Sequence, residues 1–121
     1  MAHSRVTRED LSLATSVERA RNGTIVRARG VLSRSTAEKF EEAVGRAMDE
    51  GSPDVILDLG GVRSIDSTGL RSLLRVANLS RGVGGELRLQ RSSRSVQRAI
   101  EWSGLDRRLR WAEWKPVDLA R

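Results

Sequence analysis

The chain has 121 residues, with 22 basic against 16 acidic side chains, a net charge of +6 and no cysteine. That length supports one domain with a core that needs no staples, and the cysteine count excludes a disulfide framework, a thiolate metal site and thiol redox chemistry. The apolar fraction is 38% and no stretch approaches the roughly 18 apolar residues of a membrane span, so a soluble cytoplasmic protein is expected.

The opening M-A-H-S-R-V-T-R-E-D is polar and lacks an apolar signal core. Residues 1–10 are expected to be a flexible N-terminus, 11–115 the domain and 116–121 a C-terminal tail. Leu11 to Arg21 mixes apolar and polar residues and predicts a weak first strand. Asn22-Gly23 is a two-residue hairpin signal. Thr24 to Leu32 then reads as a strand pairing antiparallel with the first, with Val26 and Ala28 on one face and Arg27 and Arg29 on the other.

Ser35-Thr36-Ala37-Glu38 has the capping-box pattern, with Ser35 as cap and Glu38 reaching back. Phe40, Ala43, Val44, Ala47 and Met48 follow at helical spacing. Gly51 stops that helix and Ser52-Pro53 forbids its continuation. Val55-Ile56-Leu57-Asp58-Leu59 is short, β-branched at its start and nearly all apolar, as suits a strand buried on both faces. Gly60-Gly61 is expected to break it.

After S-I-D-S-T-G-L (64–70) comes a second helix, with Leu70, Leu73, Leu74 and Ala77 inward and Arg71, Arg75 and Asn78 outward. Glu86 to Gln90 alternates as a strand. Ser92 or Ser93 caps a third helix, whose apolar positions are Val96, Ala99, Ile100 and Trp102, and Gly104 ends it. Leu109 to Ala112 reads as a last edge strand. The order β-β-α-β-α-β-α-β predicts an α/β layer structure with a mixed, mostly parallel sheet of four to five strands.

The chemistry on offer is narrow. The one histidine is His3, so no imidazole is placed beside Ser67 for a Ser-His-acid triad. No G-x-S-x-G elbow, HExxH, EF-hand or Walker loop is present. Neither catalytic residues, a resident cofactor nor a metal is expected. Twenty of the 22 basic residues are Arg, and they are scattered. With one Phe and three Trp for stacking, a basic nucleic-acid-binding domain is the weaker reading.

S-I-D-S-T-G-L carries two readings that coexist. Asp66 or Ser67 makes a good N-cap. A hydroxyl at a helix start also sits where backbone N–H groups favour an anion. Gly69 leaves the first turn bare, and Arg63, Arg71 and Arg75 lie alongside. A phosphoryl group on Ser67 would add about −1.5 to −2 charge.

V-I-L-D-L-G-G-V-R-S-I-D-S-T-G-L resembles the signature of the STAS domain, named for sulfate transporters and anti-sigma factor antagonists. Three further segments agree: G-V-L-S-R-S-T-A (30–37), G-G-E-L-R-L (84–89) and V-Q-R-A-I-E-W-S-G-L-D (96–106). The resemblance covers about residues 12 to 112. It implies a stand-alone anti-sigma factor antagonist: a binding module, not an enzyme, whose partner is an anti-sigma factor serine kinase of the GHKL type. Binding would release a sigma factor for transcription. Phosphorylation at Ser67 would dissociate the complex, and a PP2C-type phosphatase would reverse it. The implied partner surface comprises Ser33, Arg34, Ser35, Asp66, Ser67, Thr68, Gly69 and Arg71, with no direct nucleic acid or membrane contact. Thr68 is a second, weaker acceptor. One feature departs from the family pattern: Ser33 stands where an acid is usual at the end of the second strand, and Val31 where the preceding Glu is usual. A STAS scaffold that is never phosphorylated is the alternative.

Overall fold

A computed structural model describes residues 11–105 and the backbone of 110–111; the expected flexible N-terminus, the tail, and Leu109 and Ala112 lie outside it. The strands are β1 (Leu13–Ala20), β2 (Gly23–Leu32), β3 (Val55–Ile65), β4 (Leu87–Ser92) and β5 (Arg110–Trp111). The helices are α1 (Ala37–Glu50), α2 (Ser67–Gly82) and α3 (Arg94–Ser103). The order is the one the sequence predicts.

The sheet runs β1-β2-β3-β4-β5, in chain order. β1 pairs antiparallel with β2, and the other pairs are parallel. A chain that always adds its next parallel strand on the same side, through right-handed crossovers, places every crossover helix on one face. The packing agrees. One core cluster joins Phe40, Val44, Ala47 and Met48 of α1, Leu73, Val76 and Ala77 of α2, and Val96 and Ile100 of α3 to Val26, Val55, Leu57, Leu59, Leu87 and Leu89 of the sheet. On the opposite face, Arg27 pairs with Glu18 (2.7 Å) and Asp58 (3.7 Å).

Five local expectations are corrected. Ala20 pairs with Gly23, so the hairpin turn is Arg21-Asn22 rather than Asn22-Gly23. Gly23, at φ +145°, opens the second strand, where a Cβ would meet the Asp54 carbonyl oxygen.

Ser35 does not cap α1. Thr36 takes the cap position, and its hydroxyl makes no bond into the helix. Instead Thr36 Oγ1 accepts from Ser33 N (2.9 Å) and donates to the Val31 carbonyl (2.8 Å). A hydroxyl buried under a loop serves the loop's own stranded backbone groups first.

Gly60-Gly61 does not end β3. Residues Asp58 and Gly61 face Arg27 and Arg29, so two residues of β3 stand opposite Ala28 alone. This is a bulge, a place where glycine suits a strand. The core-facing positions step by three across it, from Leu59 to Val62, both fully buried.

The buried stripe of α2 is Gly69, Ser72, Leu73, Val76, Ala77 and Ser80, with Leu70 and Leu74 only half-buried. Small polar residues are buried because their hydroxyls are satisfied: Ser72 donates to Glu41 Oε2 (2.9 Å) and Ser80 to the Pro53 carbonyl.

Trp102 is 90% exposed instead of packed. It lies two residues past Ile100, about 200° round the helix from that core position. The third helix otherwise follows expectation: the Ser93 hydroxyl accepts from Val96 N, and Gly104 closes it at φ +75°.

Candidate functional site

The site is built where β2 and β3 end side by side. The last pairs of their parallel ladder are Val31 with Ser64 and Leu32 with Ile65. The chain leaves β2 into the 33–36 loop and leaves β3 through Asp66 into α2. Two segments distant in sequence therefore emerge at the same end of the sheet, beyond the C-terminal ends of two neighbouring parallel strands.

Asp66 joins them. Its backbone N–H donates to the Leu32 carbonyl (3.2 Å). Its Oδ1 accepts from Gly69 N (2.8 Å), which caps α2, and its Oδ2 accepts from Arg34 N (3.1 Å). One carboxylate thus ties the helix start to the neighbouring loop through two charge-assisted bonds. On the loop side, Ser33 Oγ and Ser35 Oγ lie 3.0 Å apart.

Gly69 is buried, and a Cβ on it would lie 2.4 Å from the Leu32 carbonyl oxygen and 2.8 Å from Ile65 Cγ1. The close approach that this glycine permits is internal: it lets α2 start directly against the end of β2. Ser67, one position past the cap, is exposed, and Thr68 is half-buried. Arg34, Ser35 and Arg71 are exposed, and Ser33 is half-buried. The predicted residues are therefore gathered at one corner, with Gly69 beneath it as packing. Asp58 is not among them. It sits within β3, seven positions and roughly 20 Å before Ile65, where it serves Arg27 and accepts from Gly60 N (2.9 Å).

Sequence reasoning missed the groove beside this corner. A hollow of about 570 Å³ opens between α1 and α2, with Arg34 and Thr68 at one end and Glu38, Glu41, Glu42 and Arg75 along it. Glu41 is engaged by Ser72 and, at 3.6 Å, by Arg75. The signal that points to this wall is the spacing of Glu38 and Glu42, four residues apart on one helix face. Among the described residues no group of His, Cys, Asp and Glu is placed to hold a metal ion, and no helix is long and apolar enough to cross a membrane.

The comparisons with known proteins fit this geometry. A family model described as the Mlab STAS domain matches residues 15–111. BtrV of Bordetella bronchiseptica, which carries the provisional name of anti-sigma factor antagonist, is 40% identical over 75 residues, covering 62% of this chain and 65% of that protein. The match thus spans just under two thirds of that relative's length. Among solved structures, an anti-sigma factor antagonist from Mycobacterium paratuberculosis superposes with a TM-score of 0.69 at 24% identity, over 84% of this chain and 87% of that one. The antagonist SpoIIAA in its unphosphorylated form gives a TM-score of 0.66 at 22% identity, over 83% and 89%. At these identities the structures speak for the fold, and the family model, covering most of the described chain, speaks for descent: this chain belongs to the STAS domain family.

Proposed function

We propose that this chain is an anti-sigma factor antagonist, switched by phosphorylation of Ser67. Unphosphorylated, it docks through the corner formed by the 33–36 loop and the start of α2 onto an anti-sigma factor of the GHKL serine kinase type, in the cytoplasm, and so releases a sigma factor. The kinase transfers the γ-phosphoryl group of ATP to Ser67 Oγ. The hydroxyl proton leaves to a base of the kinase, and ADP is the leaving group. The modified form dissociates, and a PP2C-type phosphatase hydrolyses the ester. ATP belongs to the partner.

The observation that carries this reading is the placement of the Ser67 hydroxyl. It is exposed at the first turn of a helix whose start is fixed by Asp66 to Gly69 and Arg34. A kinase meets a presented and immobile acceptor, and added charge at that point changes the surface without unfolding it. Family membership and the name of the Bordetella relative support the same reading.

The test is incubation with the cognate anti-sigma kinase and ATP, followed by intact mass. The native protein should gain one phosphate and Ser67→Ala none. Ser67→Ala should bind the partner persistently, and Ser67→Asp should bind it more weakly. Phosphate uptake by Ser67→Ala at the native rate would assign the modification elsewhere.

The neutral Ser33 at the end of β2 favours a second reading, in which the domain is a STAS scaffold that is never phosphorylated. That reading expects no phosphate on protein isolated from its source under any growth condition, and it fails if phosphate appears on Ser67.

A further inference from the structure

Two arginines, Arg34 and Arg71, come close to Ser67 along the chain fold, and among the described residues no carboxylate pairs with either. Arg34 comes from the 33–36 loop. Its backbone N–H is bonded to Asp66 Oδ2 (3.1 Å), so its Cα is held beside the residue next to Ser67. Arg71 lies four residues along α2, on the same face and about 5–6 Å away between Cβ atoms. Both side chains are exposed. Among the described residues neither has an ion-pair partner, whereas Arg27 and Arg75 do.

Two of the neighbouring acids are already engaged. Asp66 already accepts a backbone N–H on each carboxylate oxygen. Glu41 is held by Ser72 and Arg75. Glu38 faces the groove that Arg34 and Thr68 also line. The end of β2 carries Ser33, a neutral hydroxyl, so no carboxylate at that position repels an anion.

We propose that Arg34 and Arg71 close on the phosphate of phosphorylated Ser67 as an intramolecular clamp, withdrawing both guanidinium groups from the partner-facing surface. This rests on the reading of Ser67 as the modified residue. Phosphate and guanidinium form short, charge-assisted and often bidentate bonds. The incoming charge of about −1.5 to −2 is matched by the two cations already present. The switch then acts by subtraction as well as addition, since the partner meets a new anion and loses two donors. An aspartate at 67, with a single charge on a shorter arm, engages the pair less fully, so Ser67→Asp should be an incomplete mimic.

The test installs phosphoserine at position 67 by genetic encoding, so that no kinase is needed, and follows its second ionisation by phosphorus NMR. In the folded protein it should titrate about 0.5–1 pH units below the same protein unfolded in denaturant, at the low end for opposite charges because the patch is exposed. Arg34→Ala and Arg71→Ala should each raise it, and the double variant should raise it most, leaving only the part of the depression that the helix N-terminus supplies. Arg34→Lys should recover part of the effect, and Arg94→Ala, on α3, should change nothing. A double variant that titrates like the native background would overturn the clamp. If the kinase ignores Ser67 while the depression is present and arginine-dependent, the clamp holds and the phosphorylation reading falls. If the kinase modifies Ser67 and the titration is flat across the variants, the clamp alone falls.

Discussion

Gly45 lies inside α1 and Gly69 in the first turn of α2, and on helix propensity alone an alanine at either would stabilise by up to about 1 kcal/mol. Their surroundings separate them. At Gly45 the nearest atom to a new Cβ is Leu79 Cδ2 at 3.9 Å, an ordinary contact. At Gly69 it is the Leu32 carbonyl oxygen at 2.4 Å, and backbone cannot swing aside. Gly45→Ala should therefore raise the unfolding free energy measured in urea, by about 0.5–1 kcal/mol. Gly69→Ala should lower it by about 1–3 kcal/mol, as overpacking does, despite the better helix former. Equal signs for the two would mean that α2 does not start against β2 as described.

Thr36 decides how the loop before α1 is held. Its buried hydroxyl serves both Ser33 N and the Val31 carbonyl. Thr36→Val keeps the shape and strands both groups, at a cost of about 1–3 kcal/mol. Ser35→Ala, at the position that the capping pattern marks, should stay within about 0.5 kcal/mol. Denaturant titration of the pair distinguishes a loop pin from a helix cap. The strands and helices were all legible in the sequence because apolar periodicity reports burial, and burial is what selects them. The caps of α2 and α3 were legible to within one residue, as Asp66 or Ser67 and Ser92 or Ser93, because a cap bonds only its own helix start. What escaped was non-local. The bulge that carries β3 past Gly60-Gly61 depends on β2. The rotated stripe of α2 depends on Glu41 and the Pro53 carbonyl, which allow Ser72 and Ser80 to be buried. The groove wall depends on which face of α1 meets α2. At the site, residue types marked the right stretch, but the role of Gly69 was visible only once Leu32 stood next to it.

At the scale of the whole molecule, a net charge of +6 invites comparison with nucleic-acid binders. The described arginines are spread over β2, α2, α3 and the loops, and some are engaged in internal pairs such as Arg27 with Glu18 and Asp58. A salt titration against duplex DNA should show any low-salt affinity fading before about 0.15 M, where screening reaches about 8 Å. Affinity that persists there with a steep salt slope would revive a nucleic-acid function. The same global view bears on small ligands. Open α/β sheets bind them at the point where strand order reverses. This sheet has no such reversal among its described strands, so the functional corner is left to the loops at the strand ends.

The unbroken strand order also has a consequence for how the chain comes into being. Each parallel strand joins the exposed edge of what has already been laid down, so nothing must be inserted between elements that have paired. Each parallel pairing still joins residues about 30 positions apart, as Thr24 with Val55 and Val55 with Leu87, so the pairings themselves are slow to close, but none has to wait for a later strand. A polypeptide leaving the ribosome N-terminus first can build this sheet in the order of synthesis. Once α2 has emerged, Asp66 has Leu32, Arg34 and Gly69 all within reach, while β4 and α3 are still to be made. The partners of Asp66 that shape the corner carrying Ser67 all lie within residues 32–69, so the corner can form before the last strands of the sheet are made.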